Sequence, residues 1–75
     1  MSFQGRSTED LVRIATAGGG FKLDAAGRPT DDLVTIAAAA SDWGVRLVFA
    51  GMNDRPTKDL VRIAEAGQGN VQFEG

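Results

Sequence analysis

The chain contains no cysteine, no histidine and no tyrosine. Without cysteine there is no disulfide framework, no thiolate zinc site and no sulfur nucleophile. Without histidine the commonest general base and the commonest metal ligand are missing, together with every triad built on an imidazole. Ser2, Ser7 and Ser41 have no such base to activate them. Long apolar runs are absent too: none approaches the ~18–20 residues of a membrane span. The opening Met-Ser-Phe-Gln-Gly-Arg has no apolar signal-peptide core, which leads to the expectation of a cytoplasmic protein. Basic residues are few, 8 against 10 acidic for a net charge of −2. That balance supplies no basic stripe for nucleic acid and no cationic face for a membrane surface. No cofactor and no metal are implied.

The 75 residues are read as one domain spanning 1–75. A chain this short has a thin stability margin. With no disulfide or metal as a staple, regular packing or self-association must supply the rest.

What the sequence does contain is a repeat. Residues 11–18 read LVRIATAG and residues 60–67 read LVRIAEAG, matching at seven of eight positions. Residues 33–40 read LVTIAAAA. The match continues upstream as RSTEDL at 6–11, RPTDDL at 28–33 and RPTKDL at 55–60. Leu, Ile and Ala fall at i, i+3 and i+4 in each copy, which is one apolar stripe on a helix. Thr8, Thr30 and Thr57 are expected to cap the three helices through their hydroxyls. Asp10, Asp32 and Asp59 follow where negative charge favours the positive end of the helix dipole. Gly18 and Gly67 are expected to stop the first and third helices, and the second to end near Ser41-Asp42-Trp43-Gly44.

Between these segments the period falls to two. Phe21-Lys22-Leu23-Asp24, Val45-Arg46-Leu47-Val48-Phe49 and Val71-Gln72-Phe73-Glu74 largely alternate apolar and polar, and Ser2-Phe3-Gln4-Gly5 is a shorter version. Four half-buried strands are predicted. Connections through helices join parallel strands with right-handed crossovers. The expected fold is therefore α/β, a two-layer βα-repeat in the order β-α-β-α-β-α-β. It has a four-stranded, mainly parallel sheet with three helices on one face, a short solenoid-like unit. Closing two copies into an eight-stranded barrel would put Gln4, Lys22, Asp24 and Arg46 in an apolar interior, at several kcal/mol per unpaired ion. A flavodoxin-like arrangement is the other rival. The one-sided layout is similar to that of leucine-rich repeat proteins. Here, however, the Leu-Val-x-Ile-Ala block lies on the helix and the L-x-x-L-x-L-x-x-N signature is absent, so no function follows from the similarity.

Three features are candidate sites. Arg6, Arg28 and Arg55 recur just before each helix, where ligands gather at the carboxyl ends of parallel strands. Helix N-termini with arginine attract anions, so these residues are candidates for anion or phosphate binding. The plainer reading pairs them with Glu9, Asp10, Asp31, Asp32 or Asp59. Gln4, Lys22, Asp24, Arg46, Gln72 and Glu74 form a polar sheet face, either cross-strand ladders or a partner-binding surface. Trp43, the only tryptophan, is expected to close the edge of the core, or else to anchor a partner.

Other motifs carry less. The Gly18-Gly19-Gly20 run leaves a helix and enters a strand, the wrong order for a phosphate loop. Residues 50–55 form the longest strand-to-helix loop, the place to look for a private ligand, and they lack a calcium-binding pattern. Asp31-Asp32 suits a helix N-terminus better than acid–base work. An enzyme is not expected. Phe73-Glu74-Gly75 echoes Phe3-Gln4-Gly5, and open outer strands are templates for adding another. The functional expectation is a non-catalytic protein-interaction or self-assembly module, forming homo-oligomers through its edge strands. The alternative is a small anion-binding domain.

Overall fold

The computed structural model describes residues 6–75. Its elements are α1 (Thr8–Thr16), β1 (Phe21–Asp24), α2 (Thr30–Trp43), β2 (Leu47–Ala50), α3 (Thr57–Gly67) and β3 (Val71–Phe73). The strands form one parallel sheet in the order β1-β2-β3. The strand expected over residues 2–5, with Gln4, lies outside the described residues.

Alternation in the strands separates two faces. Phe21, Leu23, Leu47 and Phe49 are buried, whereas Lys22 and Gln72 are exposed and Val48 is half-buried. The register aligns Leu23 with Phe49 and Phe49 with Phe73, and it aligns Lys22 with Val48 and Val48 with Gln72. The first row packs under the helices and the second lines the other face. Helix α1 packs on α2, and α2 on α3. Leu11, Leu33, Ile36 and Ile63 seal the core from the helical side. The rest of β2's expected length, Val45-Arg46, leads into the strand rather than joining it.

The helix starts differ from the cap expectation. The threonines are the first helical residues, and the capping positions are Ser7, Pro29 and Pro56. Ser7 accepts from the Asp10 amide at 3.2 Å. Pro29 and Pro56 make no side-chain cap. Their fixed φ orients a carbonyl that closes the first turn instead: Pro29 accepts from Asp32 and Leu33, and Pro56 from Asp59 and Leu60. The threonine hydroxyls are thereby released for other partners.

The helix ends also correct one expectation. Gly18 follows α1 with φ +92, and Gly44 caps α2 in the left-handed region at φ +65. In α3, however, Gln68 takes the left-handed turn at φ 48, and Gly67 is the last helical residue. Gly67 is there because it has no side chain. A Cβ at that position would stand 2.5 Å from Val71 Cγ2, 3.2 Å from Val71 Cβ and 3.6 Å from Ala37 Cβ. Gly67→Ala gains ~1 kcal/mol of helix propensity, but overpacking against a stiff β-branched side chain costs ~1–3 kcal/mol. We expect a net loss of up to about 2 kcal/mol in urea titration, whereas Gly27→Ala, which would meet nothing within 4 Å, stays near neutral.

The strand-to-helix loops are nearly equivalent. Arg28 N–H donates to the Ala25 carbonyl, and Arg55 N–H to that of Met52. Ala25 and Met52 thus correspond, and both are buried. The β2–α3 loop is one residue longer, and the extra residue is Gly51, at φ +74. The loop singled out for a private ligand is a near copy of its predecessor with a core methionine in it.

Candidate functional site

The recurring arginines, threonines and aspartates meet between neighbouring repeats at the helix N-termini. Arg28 donates through Nη2 to the Arg6 carbonyl, and through Nη1 to Thr8 Oγ1 at 3.4 Å. Thr8 Oγ1 in turn donates to Asp32 Oδ2 at 3.2 Å. One repeat later the pattern returns. Arg55 Nη2 donates to the Ala25 carbonyl at 2.7 Å and to that of Arg28, and Arg55 Nη1 donates to Thr30 Oγ1 at 2.9 Å. Thr30 Oγ1 donates to Asp59 Oδ2 at 3.3 Å. Each hydroxyl accepts from a cation and donates to an anion of the following repeat. The two charges are linked through a neutral group, and each bond polarises the next. We call this unit the clasp.

The local sequence supplies the two halves of the clasp. Ser7, Pro29 and Pro56 hold the chain extended at the three helix entries, the prolines by their fixed φ. The threonine that follows has its hydroxyl on the flank facing the next helix, while the aspartate two residues on lies on the opposite flank. A helix can therefore give with one side and receive with the other. Arg28 and Arg55 are half-buried, and Arg55 Nε is buried without an acceptor, so the Nη groups carry the binding.

For the anion reading, this means that both guanidinium groups reach sideways along the layer to protein oxygens. Arg6 is exposed at the start of the same row. It lines an open groove of about 380 Å³ with Asp10, Arg13, Ile14 and Ala17.

The sheet-face residues are only partly gathered. Lys22 and Glu74 form an ion pair at 2.9 Å across β2, both about half exposed, worth little in stability. Asp24 turns back onto its own loop, accepting from the Ala26 amide at 3.2 Å. Arg46 and Gln72 are exposed. Trp43 does not close the core edge: it is 62% exposed. It sits at the far end of α2, about 20 Å from the clasp by helical rise, so no single site unites it with the arginines. Among the described residues there is no cluster of carboxylates able to hold a metal ion, and no helix is long and apolar enough to cross a membrane.

By sequence alone, Thr8 and Thr30 read as caps, and Asp32 and Asp59 as partners of the helix dipole. The signal for their other role was present. Arg-x-Thr-x-Asp recurs at constant spacing, whereas a cap requires only one of the three.

Against protein-family models, curated proteins and solved structures, the chain matches none.

Proposed function

We propose that this chain is a non-catalytic protein-interaction and self-assembly module, a short βα solenoid that extends by adding like units. The observation that carries this reading is the unequal burial of equivalent residues. Ala15 and Ala37 are fully buried, whereas Ala64, their counterpart in α3, is exposed. Val12 and Val34 are packed against the core, whereas Val61 is 47% exposed. The third repeat presents to solvent the surface that the inner repeats use for packing. Among the described residues β3 pairs only with β2, so an unpaired strand edge accompanies that surface.

The anion-binding alternative has less support, because the clasp already supplies oxygen acceptors to Arg28 and Arg55. The test is mass in solution. Sedimentation equilibrium from about 10 μM to about 1 mM, the range for a small interface, is expected to show apparent mass rising with concentration. A constant monomer mass over that range overturns the reading.

A further inference from the structure

We infer that copies of this chain associate head to tail, with α3 of one copy packing on α1 of the next in the register that already joins the repeats. This rests on the self-assembly reading and specifies its contact. The first helix carries the receiving half of the contact. Asp10 corresponds to Asp32 and Asp59, which accept the threonine bonds. Ile14 is half-buried where Ile36 and Ile63 are fully buried, and Ala17 is exposed where Ala39 is buried. Asp10, Ile14 and Ala17 line the groove of about 380 Å³ along α1. The last helix carries the giving half. Thr57 corresponds to Thr8 and Thr30, and it is exposed, as are Val61 and Ala64 on the same flank.

Joining the halves reproduces the internal contact. Thr57 of one copy donates to Asp10 of the next, and Val61 and Ala64 enter the groove beside Ile14 and Ala17. The occupant is a second copy, because the surface matching each half is the other half. Such a contact is heterologous: it leaves one half open on each outer copy and propagates.

The same register contains one mismatch. Arg62 pairs with Asp31 at 2.8 Å between α3 and α2. The corresponding residues across the proposed contact are Arg13 and Lys58, two cations. They hold the association weak, and they provide a test in the direction of gain. Lys58→Glu turns the repulsion into the pairing seen inside the molecule. It should tighten association about three- to tenfold, the size of an exposed charge-pair change.

The second arm uses blocked ends. Val61→Arg obstructs the giving half and Ala17→Arg the receiving half. Both sites are exposed, so folding is preserved and is checked by circular dichroism and melting temperature. Each variant alone should sediment as a monomer, and an equimolar mixture should form 1:1 dimers and nothing larger. Three results overturn the inference. If the wild type self-associates but the mixture does not, or if Lys58→Glu leaves its affinity unchanged, the register is wrong while the assembly reading stands. If wild type and Lys58→Glu both remain monomeric at the highest concentration, the inference and that reading fall together.

Discussion

Phe49→Ala is expected to cost more stability than any other single truncation of this core, about 3–5 kcal/mol. Phe49 is fully buried on the central strand, with Leu23 and Phe73 beside it in register and the helices above. Truncating a phenylalanine in such a site costs ~3–5 kcal/mol, counting transfer and the cavity left behind. A chain of 75 residues has a total stability of only ~4–11 kcal/mol at ordinary per-residue values. One side chain therefore accounts for roughly a quarter or more of the whole. Phe73→Ala is the comparison that tests the reasoning. It occupies the same row on the edge strand, is only half-buried, and should cost half as much or less. Denaturant titration of both variants decides it. Equal losses would mean that the edge position is covered as fully as the centre.

Arg55→Ala should cost about 2 kcal/mol, since charge-assisted hydrogen bonds carry ~1.5–3 kcal/mol and water replaces part of what is lost. The change removes the donor to the Ala25 and Arg28 carbonyls and to Thr30, unlocking α3 from the preceding loop. For a domain of this size the melting temperature should fall by roughly 8–16 °C. Arg62→Ala removes an arginine of the same helix whose ion pair with Asp31 is exposed on both sides, and it should move the melting temperature by no more than a few degrees. If the two variants melt alike, the clasp contributes no more than a surface ion pair, and the arginines before the helices have another purpose.

The difference between these two arginines was not legible in the chain. Both recur, Arg55 with Arg6 and Arg28 before the helices and Arg62 with Arg13 on a helix, and both read plainly as solvated surface. Only the placement of consecutive repeats beside one another turns Arg55 toward the carbonyls of residues 25 and 28 and leaves Arg62 on the outer surface. Trp43 shows the same limit: a large apolar residue at a helix end suits a core edge, yet the left-handed turn at Gly44 carries the chain away beneath it and leaves the indole in solvent. Met52 is the converse case, a loop residue by its neighbours but buried because it takes the place of Ala25.

Local periodicity by itself determined the helices, the three described strands and the direction each faces, because amphipathic spacing is a property of a single segment. Parallel order followed from the helical crossovers. The lateral partners of Thr8, Thr30, Asp32 and Asp59 were decided by tertiary structure alone. Each bond joins residues more than twenty positions apart, and their meeting depends on how far and at what angle one repeat is displaced from the last. Packing of the helices on the sheet sets that displacement, and no single segment encodes it.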